Sequence, residues 1–84
     1  MHHATPRFWE CLEELPEPIQ DLARKNLALL KQNPSHPSLR FKKIGKFWSA
    51  RVGANHRALA VRDSPDYIWV WIGDHDEYDH LLGS

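Results

Sequence analysis

The chain has 84 residues, carries 11 basic and 11 acidic side chains, and is 42% hydrophobic. This length allows one small domain, so we expect residues 1–84 to form a single unit with large aromatic side chains in its core. One cysteine, Cys11, excludes an intramolecular disulfide and is typical of a reducing compartment. The sequence shows no apolar run of about 18 residues and no signal peptide, so we expect a cytoplasmic protein outside the membrane.

Helical spacing governs the first third of the chain. The segment from Arg7 to Leu15 has apolar side chains about one helical turn apart, which predicts a short first helix. Prolines at positions 16 and 18 interrupt this pattern, and the apolar stripe of a second helix follows and ends near Lys31 or Gln32. Prolines at positions 34 and 37 prevent this helix from continuing.

After Pro37 the pattern changes to the alternation that is typical of strands. Strands are predicted over residues 39–42, 48–52, 57–62 and 67–72, with turns at residue 45, residues 53–55 and residues 63–66. Gly73 is expected to end the last strand, and residues 74–82 to form a helical turn. We therefore predict an α+β fold in which two N-terminal helices pack on one face of a four-stranded antiparallel sheet.

The most apolar strand, residues 67–72, is expected to lie centrally in the sheet. Its alternation places the aliphatic side chains at positions 68, 70 and 72 under the helices, and Trp69 and Trp71 on the opposite face. Indole rings beside Arg51 and Arg57 can stack RNA bases. The same rings can instead complete a second core layer or dock a partner peptide, and the sequence leaves these alternatives open.

The charges are unevenly distributed along the chain. Between residues 40 and 62 there are seven cations and no carboxylate, whereas acidic side chains crowd both flanks. Such a segment can face phosphates or an acidic protein, or it can be a solvated strand surface. The seven cations are Arg40, Lys42, Lys43, Lys46, Arg51, Arg57 and Arg62.

The segment from Asp74 to Tyr78 combines an imidazole, carboxylates and a phenol just after the last strand. His75 can donate or accept a proton near neutral pH, and the ends of strands often carry catalytic groups. The same segment can equally be a polar cap without chemistry. The histidines lack the spacing of zinc ligands and the sequence has no glycine-rich phosphate loop, so we expect neither a metal nor a cofactor.

Four segments carry a family resemblance through their order and spacing. They are PSHPSLRFKK (34–43), FWSARVG (47–53), HRAL (56–59) and WIGDHDEY (71–78). Together they resemble the RelE/ParE toxins of type II toxin–antitoxin systems, and the likeness extends from about Phe8 to Leu82. It implies the α+β fold predicted above.

The resemblance also implies a function. It indicates a toxin that is held in check by a cognate antitoxin protein. RelE-like members cut mRNA on the ribosome without a metal, by attack of an RNA 2′-hydroxyl on its neighbouring phosphate, and thereby inhibit translation. ParE-like members share the fold but inhibit DNA gyrase, and a partner-binding domain without enzymatic activity is a further alternative.

Site residues follow from the same resemblance. Arg57 matches the family's phosphate-binding arginine, and Arg51 lies near a basic position of the preceding strand. His75 and Tyr78 lie where the family keeps an arginine or histidine and a tyrosine, which makes these four the expected catalytic residues. Ser49 stands where a RelE-like toxin has a second lysine. The residues expected to bind RNA are Lys42, Lys43, Lys46, Trp69 and Trp71.

Overall fold

The computed structural model describes residues 1–83, which form three α-helices and a five-stranded sheet. In chain order the elements are β1 (His2–Ala4), α1 (Pro6–Glu13), α2 (Glu17–Gln32), a 3₁₀ helix (Pro37–Leu39), β2 (Lys42–Ile44), β3 (Phe47–Val52), β4 (His56–Asp63), β5 (Asp66–Asp74) and α3 (His75–Leu81). The strand order in the sheet is β1-β5-β4-β3-β2. The predicted α+β class is confirmed.

Strands β2 to β5 form the predicted antiparallel meander. A fifth strand, β1, was not predicted; it pairs in parallel with β5, with His2 opposite Tyr67 and Ala4 opposite Trp69. Its three residues are too few to show a period-two pattern, so the sequence carries no strand signal there. The strand forms because the edge of β5 offers unpaired backbone groups to an extended segment.

Local signals set the limits of the helices. The hydroxyl oxygen of Thr5 accepts a hydrogen bond from the Phe8 amide at 3.2 Å and caps α1, whose first position is a proline. The predicted strand over residues 39–42 is largely wrong, because a 3₁₀ helix occupies residues 37–39 and Arg40 has a left-handed φ of 44°. Pairing in β2 therefore starts only at Lys42.

The main core lies between the sheet and helices α1 and α2. Phe8, Leu12 and Leu30 are buried from the helix side. The sheet meets them partly with small side chains, Ala50, Ala58 and Ala60, which let the helices approach closely. A second, smaller cluster lies on the opposite face under α3 and contains Leu59, Trp71 and Tyr78.

A bulge in β5 decides which side chains face the helices. Leu59 pairs with Trp71 and the next residue, Ala60, pairs with Trp69, which leaves Val70 as an extra residue. Trp69 therefore packs in the main core and Trp71 in the cluster under α3, with exposed fractions of 1% and 6%. The prediction that both indole rings lie on the face opposite the helices is wrong for Trp69, because strict alternation does not hold across a bulge; Trp71 does lie on that face, where it completes a second core layer, one of the alternatives that the sequence left open.

Candidate functional site

The face of the sheet that α1 and α2 leave uncovered carries the basic side chains of the central hairpin. One row of directly paired residues crosses this face through Lys42, Ser49, Leu59 and Trp71. In the next row Arg51 lies opposite Arg57, and Arg57 lies opposite Gly73. Cross-strand partners project from the same face, so the two arginines start side by side.

Arg57 occupies the centre of the site. Its Nη1 donates a hydrogen bond to the carbonyl oxygen of His56 at 2.9 Å, and its guanidinium lies 5.9 Å from the centre of the Tyr78 ring. Partial burial lowers the pKa of Arg57, and the positive charge of Arg51 lowers it further. A guanidinium remains charged at neutral pH nevertheless, so two neighbouring cations here favour the binding of an anion.

Helix α3 brings His75 and Tyr78 beside Arg57. The Asp74 carboxylate accepts a hydrogen bond from the Glu77 amide at 2.8 Å and caps the helix. The His75 amide donates to the carbonyl oxygen of Asn55 at 2.7 Å, which ties the start of α3 to the β3–β4 turn. The ring centres of His75 and Tyr78 are 5.6 Å apart. Tyr78 thus contacts both Arg57 and His75, and the three residues form one group.

One nitrogen of the His75 imidazole contacts a carboxylate of the same helix. Its Nδ1 lies 3.2 Å from Oδ2 of Asp79, one helical turn further along α3. Both side chains are about half exposed, so this pair adds little to stability, but it restricts the orientation of the ring. Because Nδ1 faces Asp79, Nε2 is the ring nitrogen that can interact with a further group.

The side chain of Arg51 is bonded to the β3–β4 turn. Its Nε donates a hydrogen bond to the carbonyl oxygen of Gly53 at 2.9 Å, so the side chain is anchored toward the β3–β4 turn. There it lines a concavity together with Leu22, Asn26 and Ser38. Arg51 was predicted to act with Arg57, His75 and Tyr78; the structure places it opposite Arg57 and bonds its Nε to the β3–β4 turn.

The three predicted RNA-binding lysines lie in different places. Lys42 pairs with Ser49 and therefore projects from the same face as Arg57. Lys43 pairs with Trp48 and projects from the face that α1 and α2 cover. Lys46 lies in the β2–β3 turn, with its Nζ 5.5 Å from the centre of the Phe47 ring. The register of β2 and β3 thus places the adjacent residues Lys42 and Lys43 on opposite faces of the sheet.

Two residues of the site were not predicted. Arg40 is close enough to lower the pKa of Arg57, and its left-handed backbone at the end of the 3₁₀ helix gave no sequence signal. Gly73 was expected only to end a strand, but β5 continues through it. A Cβ at Gly73 would overlap Cζ2 of Trp71. Because Gly73 has no side chain, the indole ring can pack against Gly73, which pairs with Arg57 across the strands.

Ser49, which the sequence resemblance aligns with a lysine of RelE-like toxins, is 2% exposed and supplies no charge. In residues 1–83 no group of three or more histidine, cysteine or acidic side chains is arranged to hold a metal ion. No helix in the same range is long and apolar enough to cross a membrane.

Solved structures of several toxins are similar to this chain. RelE in the RelB–RelE complex of Methanococcus jannaschii superposes with a TM-score of 0.73 at 19% identity, over 94% of this chain and 98% of that one. YafQ from E. coli superposes with a TM-score of 0.68 at 12% identity, over 93% and 96%. The Mycobacterium tuberculosis RelBE2 toxin–antitoxin complex contains a chain that superposes with a TM-score of 0.63 at 18% identity, over 89% and 96%.

By sequence, neither a protein-family model nor a curated protein matches the chain. At identities below 20% the three superpositions bear on the fold, and each extends over nearly the whole of both chains. The fold that the sequence resemblance implied is therefore confirmed: the chain has the fold of the RelE/ParE toxins.

Proposed function

We propose that this chain is the toxin of a type II toxin–antitoxin pair and cleaves mRNA on the ribosome without a metal. One observation supports the proposal: Tyr78 contacts both Arg57 and His75, so a permanent cation on the sheet and an imidazole on α3 lie together. Attack of an RNA 2′-oxygen on the adjacent phosphorus requires such groups, because charge builds up on the phosphate oxygens and on the leaving oxygen.

Each residue has a distinct part in this reaction. Arg57 binds two phosphate oxygens through its planar guanidinium, and this interaction strengthens as the phosphorus becomes five-coordinate. The 2′-hydroxyl loses its proton to water, the new bond joins the 2′-oxygen to phosphorus, and the bond from phosphorus to the 5′-oxygen breaks. His75 donates a proton from Nε2 to that leaving oxygen. Tyr78 orients the substrate or shares the proton transfer, and Lys42 adds positive charge on the same face.

A cognate antitoxin is the proposed protein partner. The RelE chains from Methanococcus jannaschii and Pyrococcus horikoshii were each solved in complex with RelB. The exposed side chains of Trp9 and Leu81, 43% and 52% accessible, are apolar surface that a protein partner would cover.

The test is expression of the chain alone, followed by sequencing of the 5′ ends of cellular mRNA. We expect growth arrest, new mRNA 5′ ends, and rescue by the product of a neighbouring small open reading frame. The Arg57→Ala variant should cause neither growth arrest nor new mRNA 5′ ends. The Arg62→Ala variant, altered at the other end of β4, should behave like the unaltered protein. Harmless expression of folded protein at high level would contradict the toxin assignment.

One observation favours a ParE-like inhibitor of DNA gyrase as a second candidate. Ser49 replaces a lysine of the RelE-like toxins and is buried, so the site has one cation fewer than a RelE-like ribonuclease. On this alternative, expression arrests growth without new mRNA 5′ ends, and the purified protein inhibits supercoiling by gyrase. The two readouts together separate the candidates.

A further inference from the structure

A concavity lies at the end of the β3–β4 hairpin and is lined by Arg51, the cross-strand partner of Arg57. It is lined by Arg51 of β3, Asn26 and Leu22 of α2, Ser38 of the 3₁₀ helix, and the turn residues Gly53 and Ala54. We call it the hairpin-end subsite. Three elements that are distant in the sequence thus meet around one arginine.

The guanidinium of Arg51 is held in place before any ligand arrives. Its Nε donates to the carbonyl oxygen of Gly53 at 2.9 Å, and Asn26 Nδ2 donates to the carbonyl oxygen of Arg51 at 3.0 Å. Gly53 has a φ of 65°, and a Cβ there would lie 2.9 Å from Cδ2 of Leu22, so the turn packs tightly on α2. Because the Nε bond already restricts the side chain, binding of a ligand by the Nη groups of Arg51 would order it at a small additional entropic cost.

Arg51 and Arg57 lie side by side but make different contacts. They are direct cross-strand partners; the guanidinium of Arg57 lies over the Tyr78 ring of α3, and Nε of Arg51 donates to the carbonyl oxygen of Gly53 in the turn. Pairing between β2 and β3 ends at Lys42 and Ser49. In residues 1–83, Arg51 therefore has a paired strand, β4, on one side only, and on the other side its side chain can reach the 3₁₀ helix. Two adjacent cations with separate contacts can each bind one of two neighbouring phosphates.

The polar neighbours of Arg51 suit a phosphate. Asn26 uses one amide hydrogen for the Arg51 carbonyl and retains a second on Nδ2 for a ligand oxygen. The hydroxyl of Ser38 lies 2.8 Å from Nδ1 of His36 and is engaged there. The donors that remain are cationic or amide N–H groups, which is the chemistry that binds a phosphodiester.

We propose that the hairpin-end subsite binds the phosphodiester next to the one held by Arg57, so that the protein grips single-stranded RNA at two consecutive phosphates. The inference rests on the proposed function, because it assumes that Arg57 holds the reacting phosphate. It makes Arg51 a residue that binds substrate through a second phosphate. Loss of Arg51 should therefore raise KM and leave kcat nearly unchanged, in contrast to loss of Arg57.

The test compares three 2′-O-methyl oligonucleotides without terminal phosphates. A dinucleotide has one phosphodiester, a trinucleotide has two, and a trinucleotide with one neutral methylphosphonate linkage has one charge but three bases. Their affinities are measured by titration of the protein's amide NMR signals at constant salt. We expect the doubly charged trinucleotide to bind about tenfold more tightly than the other two, as one charge-assisted hydrogen-bonding contact would predict.

Variants assign this difference to a residue. Arg51→Ala should abolish the tenfold difference, and Arg57→Ala should weaken the binding of all three oligonucleotides. Arg62→Ala is the matched control, since Arg62 bonds to Ser64 and Tyr67 at the other end of β4 and should change nothing. Unchanged melting temperatures show that each variant is folded.

Two outcomes would overturn the inference, and they can be told apart. If Arg51→Ala keeps the preference for the second phosphate, the subsite is wrong while RNA binding stands. If the unaltered protein binds none of the three oligonucleotides, the proposed RNA function fails and the subsite fails with it.

Discussion

Replacing Gly73 by alanine should displace the Trp71 indole ring and destabilise the protein. The added Cβ would overlap Cζ2 of Trp71 and lie 2.9 Å from Cη2 and 3.1 Å from Cε2. Ordinary carbon contacts lie at about 3.5–4.0 Å, so the ring must move by roughly 1 Å. It has little room, because Trp71 is 6% exposed and packs with Leu59 and Tyr78.

Overpacking of this kind costs about 1–3 kcal/mol in the free energy of unfolding. For a domain of this size each kcal/mol lowers the melting temperature by roughly 4–8 °C, so a cost of about 2 kcal/mol predicts a decrease of roughly 8–16 °C. Thermal unfolding followed by circular dichroism measures this decrease. Because Tyr78 packs on the displaced ring, the same substitution should also lower mRNA cleavage.

A second substitution shows whether the cost arises from the indole ring. Trp71→Phe removes the atoms that the new Cβ would meet, so Gly73→Ala should cost less in the Trp71→Phe background than in the unaltered protein. We expect a favourable coupling of about 1 kcal/mol or more between the two changes. Gly73→Ala with unaltered stability, or strictly additive effects of the two substitutions, would refute the reasoning.

Further predictions concern the site and the N-terminal strand. Arg57→Ala should lower mRNA cleavage by about 100–1000-fold with an unchanged melting temperature, as loss of one preorganised electrostatic contact does. His75→Gln should lower cleavage by about 100-fold or more, measured on ribosome-bound mRNA, because it removes the proposed proton donor; full activity would exclude that role. The Nδ1 of His2 accepts a hydrogen bond from Trp69 Nε1–H at 3.0 Å, and burial, followed by the positive charges of the N-terminus, Lys31 and His3, lowers the pKa of His2. The unfolded chain therefore binds this proton more readily than the folded chain, so stability should fall as the pH drops below the ordinary value of 6.5. Urea unfolding between pH 5 and 7.5 measures the decrease, and His2→Asn, which keeps an acceptor but does not titrate, should flatten it; an equal slope in both proteins would contradict the assignment.

The sequence by itself determined the class of the fold and the order of its main elements. The change of period after Pro37 separates helices from strands because side-chain spacing reflects local backbone geometry, with 3.6 residues per turn against an alternation of two. The prolines that flank α2 act through the same local sterics. The segments that resemble the toxin family also pointed to Arg57, His75 and Tyr78, which the structure brings into one group.

Only the tertiary structure decided which side chains share a surface. The extra residue at Val70 moves Trp69 into the main core, and β1 forms only because the edge of β5 is open to it. Nε of Arg51 bonds to the carbonyl oxygen of Gly53, and β2 begins to pair with β3 only at Lys42, so Arg51 lines a concavity together with α2 and the 3₁₀ helix. Each of these outcomes depends on pairing between residues far apart in the chain, and such pairing leaves no trace in the spacing of neighbouring side chains.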